Sequence, residues 1–171
     1  MQLRRFSGFL SPFIMLALSF VFGCSSAQDS SKFAAAASQG GTEEVALGRL
    51  AMQRAADTAV KDFGQRMVSD HSAANATLVQ VAAQDQIQLP TDLTADQKST
   101  IAKLSKLSGP DFDKQYMSDM VKDHQEDVSE FETQAKHGSD PKVKQFAAQT
   151  LPTLQSHLQM ARDVAKKVGA S

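Results

Sequence analysis

The sequence predicts an all-α protein: a four-helix bundle with a short extra helix in the crossover between long helices 2 and 3. Three observations predict this class. Apolar residues recur at helical spacing through four long segments, no segment after the N-terminal region alternates as a strand does, and cap, glycine and proline signals separate the segments. We therefore expect residues 32–168 to form one helical domain, with residues 25–31 as a short polar tether before it.

The first two predicted helices share the N-terminal half of this domain. The first carries an apolar face from Phe33 to Ala55, interrupted by Gly40-Gly41 at a cost of about 1 kcal/mol per glycine relative to alanine. We expect one continuous helix, in which close packing against a neighbour explains the glycines. The second helix runs from Thr58 to about Gln86, and Leu89-Pro90 ends it.

A short helix and the third long helix follow. The capping-box pattern from Thr94 to Gln97 predicts the start of the short helix, and Gly109-Pro110 stops it. The third long helix is then expected from Asp111 to Lys136. Gly138 follows it in the position of a left-handed C-terminal cap.

The fourth long helix is predicted from its N-terminal signal. Asp140 is a favoured N-cap residue, and Pro141 suits the first helical position because its missing N–H needs no partner there. The apolar pattern continues to about Val168. Pro152 lies inside this helix, where it removes a backbone hydrogen bond, and we expect it to bend the helix axis.

The N-terminal region has the pattern of an export signal. Arg4 and Arg5 precede an apolar run over residues 6–22, so residues 1–24 combine a basic start with a stretch too short to be a preferred membrane span. The segment resembles a bacterial lipoprotein signal, in which Cys24 becomes the lipid-modified first residue of the mature chain. Cleavage after Ala27 is one alternative, and an uncleaved anchor is another. We expect an outer-membrane lipoprotein facing the periplasm, or otherwise a periplasmic or secreted protein.

Cysteine content and charge exclude several function classes. Cys24 is the only cysteine, so the exported domain cannot form an internal disulfide and offers no cysteine nucleophile. Without residues 1–24 the chain keeps 16 of its 18 basic side chains and all 19 acidic ones, a balance of −3. Nothing in this balance resembles a nucleic-acid surface. The expected partner is a membrane, reached through the N-terminal lipid, and the sequence indicates no particular protein partner.

Each long helix carries one inward polar residue. Two nearly identical pentapeptides, residues 67–71 and 120–124, each end in a histidine within a helical pattern. On a helical wheel, apolar side chains cluster within about 40° of His71, of His124 and of His157. Glu44 shares the apolar stripe of the first helix. The four residues therefore point toward the interior of the predicted bundle.

The levels of these residues along the bundle follow from the rise of 1.5 Å per residue. Glu44 and His71 lie about 18 and 22 Å from a turn near Ala56, so we expect them to be neighbours. His124 and His157 lie about 21 and 28 Å from the turn near Gly138, a poorer match that a bend in the fourth helix could change. The sequence leaves the level of one helix pair relative to the other open.

Two interpretations of this polar set remain open. In the first, three neutral imidazoles and one carboxylate bind zinc, iron, manganese or copper; the ligands are Glu44, His71, His124 and His157. Met67 and Met120 lie four residues before a histidine and on the same face, which favours copper if a sulfur takes part. The alternative role of both methionines is to fill the core.

In the second interpretation the histidines are buried hydrogen-bonding residues. Asp70 and Asp123 directly precede their histidines and project about 100° away, toward a helix interface. Each aspartate could pair with the histidine of the other helix or with a lysine. Tyr116, on the flank of the third helix, is expected at the edge of the core with its hydroxyl bonded. Because buried polar groups need partners, both interpretations account for these residues.

A set of residues along the whole mature chain matches a known family: Phe33, Gly41, Glu44, Leu47-Gly48, Met67-Val68, Asp70-His71, Leu89-Pro90, Phe112-Asp113, Tyr116, Asp123-His124, Leu151-Pro152 and His157-Leu158. With them, residues 30 to 167 resemble the exported bacterial family called domain of unknown function 4142. The resemblance implies a ferritin-like bundle in the periplasm or outer membrane, without a settled activity. Ferritin-like metal enzymes use paired Glu-x-x-His motifs, whereas Val68 and Val121 stand three residues before the histidines here. Di-iron and iron-storage chemistry are therefore not implied.

No pattern of catalytic residues stands out, since the chain has neither a glycine-rich phosphate loop nor a serine in a nucleophile-elbow context. The leading hypothesis is a non-enzymatic, stress-related envelope protein whose inward polar residues order the bundle. The alternative is a metal-binding or redox protein with a buried Glu/His site. A third hypothesis, a partner-binding bundle, predicts exposed apolar side chains at Ile101 and Leu104 of the short helix.

Overall fold

The computed structural model describes residues 24–170 of the chain, with side chains from Asp29 onward. Five helices make up this part of the chain, and no strand occurs within it. They are α1 (Cys24–Arg54), α2 (Thr58–Gln84), α3 (Ala95–Leu104), α4 (Gly109–His137) and α5 (Pro141–Val168). The predicted all-α class, the four long helices and the short helix between the second and third are confirmed.

The long helices form two hairpins. Short turns join α1 to α2 and α4 to α5, and these two pairs share the most extensive contacts. The hairpins pack on each other through α2 against α5 and through α1 against α4. The connection from α2 to α4 contains α3, which lies against α1 and α4. One face of every long helix therefore points into a common core.

Two helix starts follow the predicted local signals. Thr94 Oγ1 accepts the backbone N–H of Gln97, and the Gln97 side chain accepts the backbone N–H of Thr94, which completes the capping box of α3. At the start of α5, Asp140 Oδ1 accepts the backbone N–H groups of Lys142 and Val143, both at 2.9 Å. Both caps satisfy donors that lack partners inside the helix.

The helix ends differ in one respect from the expectation. Gly138 has φ −54° and ψ 136°, so the left-handed cap expected there is wrong. The reason is the short link to the next helix, because only Ser139 separates Gly138 from the extended N-cap residue Asp140. A left-handed glycine cap does occur after α5, at Gly169 with φ 69°. Pro152 lies within α5, which continues as one helix on both sides of it.

The core consists of two apolar clusters with a polar layer between them. The first cluster includes Leu47, Met67, Met120 and Ala161. The second includes Ala34, Leu78, Phe131 and Leu154. On every long helix, one buried polar side chain stands between the residues of the two clusters. We call these four residues the polar layer: Glu44, His71, His124 and His157.

Helix α1 begins earlier than expected. Residues 25–31 belong to this helix, which starts at Cys24, so the structure corrects the expected tether. The physical reason is a contact of Ser30, whose buried Oγ accepts the backbone N–H of Asp140 at 3.3 Å and so holds the segment against the α4–α5 turn. Residues 1–23 of the expected signal segment lie outside the described residues. Between residues 24 and 170, no helix has the length and apolar composition needed to cross a bilayer.

Close backbone packing between α1 and α2 occurs at Gly48 and Gly64. A Cβ on Gly48 would lie 2.5 Å from the Gly64 carbonyl oxygen, and one on Gly64 would lie 2.8 Å from the Gly48 carbonyl oxygen. Gly41 faces the side chain of Asn75, whereas Gly40 has no atom within 4 Å of a Cβ placed there. Close packing therefore explains Gly41 but not Gly40, for which the expectation is wrong.

The apolar side of helix α3 is covered by the rest of the bundle. Leu104 is 1% exposed and belongs to the first apolar cluster, and Ile101 packs against that cluster. The exposed apolar side chains expected on this helix are therefore a wrong prediction. Because α3 lies against α1 and α4, its apolar face packs inside this chain and is not exposed to a partner.

Candidate metal centre

The polar layer brings together one side chain from each long helix. Glu44 of α1, His71 of α2, His124 of α4 and His157 of α5 are buried, with exposures between 0% and 6%. The three imidazole ring centroids lie 5.4–5.9 Å apart. All four residues that the sequence suggested as metal ligands are thus neighbours in one cluster.

The Glu44 carboxylate joins α1 to histidines on two other helices. Its Oε2 contacts His71 Nε2, and its Oε1 lies 3.3 Å from His124 Nδ1. Neither Glu44 oxygen accepts a hydrogen bond from the described residues, and a hydrogen bond to the neighbouring Asp123 carboxyl requires a proton on one of the two acids. A buried carboxylate in this position needs a proton or a cation to offset its lost hydration.

The His124 ring is held in one protonation form by its own helix. Nδ1 lies 3.0 Å from the Met120 carbonyl oxygen. Because a carbonyl oxygen only accepts, Nδ1 of the neutral ring carries the proton and Nε2 keeps its lone pair. Nε2 is buried and has no hydrogen-bond partner in residues 29–170.

His157 is held in the same way by a carboxylate. Its Nε2 lies 2.9 Å from Asp70 Oδ2, which also lies 2.9 Å from Arg66 Nε. Nε2 therefore donates to Asp70, and Nδ1 keeps a buried lone pair for which the described residues supply no partner. Asp70 thus pairs with the histidine of α5, and the expected reciprocal pairing with His124 is wrong, because α2 packs against α5 rather than α4.

These contacts leave a set of donor atoms suited to a metal ion. One ring nitrogen of each histidine lies within 4.8 Å of the corresponding nitrogen of the other two. Metal-binding histidines are commonly oriented by donating the second ring N–H to a carboxylate or a carbonyl oxygen, as His157 and His124 do here. A tetrahedral zinc site with bonds of about 2.0–2.1 Å needs donors about 3.3–3.5 Å apart, so the three nitrogens would have to draw together around an ion.

Comparisons with known proteins identify the family of this chain. A family model described as Domain of unknown function (DUF4142) matches residues 24–164. The chain belongs to this family. The resemblance to it that the sequence suggested is confirmed, and a search of curated proteins gives no match.

A solved structure shares the fold of this DUF4142 chain. It is the crystal structure of a Streptomyces coelicolor protein described as a secreted DUF305 protein, with a TM-score of 0.71 and 16% sequence identity. The likeness covers 85% of this chain and 94% of the other. At this identity it shows a common helical architecture alone, and the ferritin-like relationship stays a prediction.

Burial shifts the pKa values of the DUF4142 polar layer. Loss of hydration, reinforced by the carboxyl groups of Asp123 and Glu43, raises the pKa of Glu44 to about 8 although His124 opposes the shift. Loss of hydration also lowers the pKa of His71 to about 4, and it lowers the pKa values of His124 and His157. The three imidazoles are therefore neutral near pH 7, the form that binds metal, while Glu44 holds a proton that a cation could displace.

Asp123 lies beside the polar layer and contacts Glu44 instead of a histidine of α2. One carboxylate oxygen of Asp123, one of Glu44 and one ring nitrogen of His124 lie within 4.8 Å of one another. Burial raises the pKa of Asp123, and the contact with Glu44 opposes that rise. The sequence prediction that Asp123 pairs with a histidine of the other helix or with a lysine is therefore corrected.

Three further residues named from the sequence are core residues. Met67 and Met120, 0% and 1% exposed, pack in the first apolar cluster. Tyr116 is 0% exposed, and its ring stacks on Phe112 with centroids 5.4 Å apart. The expected place at the core edge is wrong because this flank of α4 is covered. Its hydroxyl, expected to be bonded, has no hydrogen-bond partner among the described residues.

Two charged residues near the polar layer were not predicted from the sequence. Arg66 binds Asp70 from one helical turn away, and the i, i+4 spacing of the two could have indicated that pair. Asp127 has a pKa well above its usual range, because of burial first and the charge of Glu44 second. No local pattern separates Asp127 from the solvated acidic residues around it.

Asp113 links the α1–α2 hairpin to the α4–α5 hairpin. Its carboxylate accepts the backbone N–H groups of Ala56 and Asp57 at 3.0 and 2.8 Å, in the turn between α1 and α2. The contact spans more than 50 positions of sequence, so no local signal predicts it. It helps to fix the positions of α1 and α2 along the bundle axis relative to α4.

Proposed function

We propose that this DUF4142 protein binds one transition-metal ion in its polar layer. The ligands are a carboxylate oxygen of Glu44 and one ring nitrogen from each of His71, His124 and His157. One observation carries the proposal: the imidazoles of His124 and His157 each have one nitrogen fixed by an acceptor, and their other nitrogen is buried without a partner. Leaving such groups unpaired costs about 1–3 kcal/mol each, which a bound ion would remove.

The donor set indicates the class of ion. Three imidazoles and a carboxylate suit zinc, and also copper, iron or manganese. Both methionine side chains near the layer pack in the apolar cluster, so nitrogen and oxygen are the donors that support the proposal. In the metal-bound state Asp70 and the Met120 carbonyl oxygen would orient the two histidines whose N–H groups they accept.

The structural interpretation of the histidines accounts for less of the geometry. It requires the imidazoles and aspartates to satisfy one another, and the contact between His157 and Asp70 is the one that fits it. It leaves His124 Nε2 and His157 Nδ1 without hydrogen-bond partners in the described chain. None of the features described above supports the stress-related envelope role, which stays a prediction.

Metal titration tests the proposal. We expect the purified protein, stripped with a chelator, to bind about one Zn²⁺ per chain near neutral pH, with Cu²⁺, Fe²⁺ and Mn²⁺ compared under the same conditions. The double variant His71→Ala, His124→Ala should lose this binding while its circular dichroism stays helical. His137→Ala is the control, because His137 is exposed at the end of α4. Wild-type protein that binds none of the four ions contradicts the proposal.

We also propose that the protein is exported and held on the outer membrane by a lipid on Cys24. The basic start, the apolar run over residues 6–22 and the cysteine that follows them support this location. Fractionation of cells that express Cys24→Ser should show the protein moved from the membrane fraction to the soluble periplasmic fraction. A variant that stays in the membrane fraction contradicts the lipid anchor.

A further inference from the structure

A cleft of about 800 Å³ opens between α1, α3 and α4. Five carboxylate side chains and two lysines line it, so its lining carries a net negative charge. Glu43, Asp119 and Asp123 contribute carboxylates from two different helices. A cleft whose charge has one dominant sign raises the local concentration of ions of the opposite sign.

Asp123 connects this acidic cleft to the interior. It lines the cleft, and one of its oxygens lies within 4.8 Å of a Glu44 oxygen and of a His124 ring nitrogen. Glu44 is 1% exposed, and neither of its oxygens accepts a hydrogen bond in residues 29–170, while its carboxyl lies within hydrogen-bond reach of Asp123. A buried carboxyl group that receives no N–H donor therefore stands directly behind the acidic cleft.

A second cleft reaches the polar layer from the opposite side, between α2 and α5. It has a volume of about 630 Å³, and His157 is part of its lining. The charged groups there are Arg66 and Asp70, which pair with each other at 2.9 Å. Because these two charges offset each other, this second cleft lacks the net negative charge of the first.

We infer that the acidic cleft is the route by which a divalent cation reaches the polar layer, and that the carboxylates of Asp123 and Glu44 form an outer binding position on that route. Glu44 belongs to both the outer position and the polar layer, so an ion can move inward while it exchanges Asp123 for the three histidines. The inference rests on the proposed function, since the route serves an inner site that binds metal.

Uptake kinetics with Co²⁺ test the route, because tetrahedral Co²⁺ has a visible absorption that reports arrival at the inner site. We expect Asp123→Asn to lower the association rate about tenfold and Asp119→Asn to lower it about threefold. The final absorbance and the stoichiometry of the Asp119→Asn variant should match the wild type, because Asp119 lies outside both binding positions. Increasing salt should slow uptake by the wild type more than uptake by either variant.

Asp62→Asn is the matched control, since it removes the same charge from an exposed position of α2 outside both clefts. It should leave the rate unchanged. Equal rates in all four proteins, with normal final absorbance, overturn the route and leave the inner site intact. A wild-type protein that takes up neither Co²⁺ nor Zn²⁺ overturns the inner site and the route together.

Discussion

Each histidine of the polar layer has a different neighbour, and the neighbour decides what its ring can do. His124 is fixed by a carbonyl of its own helix, His157 by a carboxylate of α2, and His71 contacts Glu44. The inward direction of all three could be predicted from the helical wheel. The neighbouring positions of Glu44 and His71 could also be predicted, from their similar distances to the α1–α2 turn. The pairing of His157 with Asp70 could not, because it depends on which helices of the two hairpins are adjacent.

Replacing Asp70 tests the role of the acceptor at the scale of one residue. We expect Asp70→Asn to weaken Zn²⁺ binding about 10- to 100-fold, because His157 loses the carboxylate that orients its ring. A competition titration against a chelator of known affinity measures the change. Asp163→Asn is the control, since Asp163 is exposed and also has a partner one turn away, Gln159. Equal affinity in both variants would show that Asp70 does not orient the site.

At the scale of helices, the distance between α1 and α2 is set by two glycines that face each other. The backbone oxygen of each glycine lies within 2.5–2.8 Å of the position that a Cβ on the other glycine would take. This contact lies next to Glu44 along α1 and Met67 along α2, so it sets how closely the Glu44 carboxylate approaches His71. The glycine pair that is conspicuous in the sequence, Gly40-Gly41, is not the pair that brings the backbones together.

Two alanine substitutions should therefore have opposite effects. Gly48→Ala should lower the free energy of unfolding by about 1–3 kcal/mol, because the new methyl group meets the Gly64 carbonyl oxygen. Gly40→Ala should raise it by about 1 kcal/mol, because the site has open space and alanine has the higher helix propensity. Urea unfolding followed by circular dichroism measures both. A stabilising Gly48→Ala would show that α1 and α2 can separate without cost.

At the scale of the whole molecule, a layer of titratable groups divides two apolar clusters. The native metal-free protein keeps a proton on Glu44 up to about pH 8, whereas the unfolded chain releases it above about pH 4.5. Stability from this group is therefore lost as the pH rises through that range. The lowered pKa of His71, about 4, acts in the opposite direction, since its contribution is lost as the pH falls below about 6.5.

The pH dependence of stability follows from these two opposite effects. Above about pH 7.5 all three histidines are largely neutral in the folded and unfolded states, so their contribution is nearly constant and metal-free protein should become less stable as the pH rises toward 8, by less than about 1.4 kcal/mol per pH unit. Glu44→Gln removes the titrating group and should make this slope shallower. Thermal unfolding of both proteins in a chelator across this range measures the effect. Parallel curves would contradict a raised Glu44 pKa.

Helix boundaries and inward faces followed from local patterns. The capping box at Thr94, the Asp140-Pro141 start and the 3.6-residue spacing act within one or two turns of chain, so the sequence determined them. The tertiary structure alone decided the levels of the two hairpins, the pairing of Asp70 with His157 and the position of Asp123 at the head of an acidic cleft. These features depend on which helices are adjacent and how closely their backbones approach, and both are properties of the packed bundle.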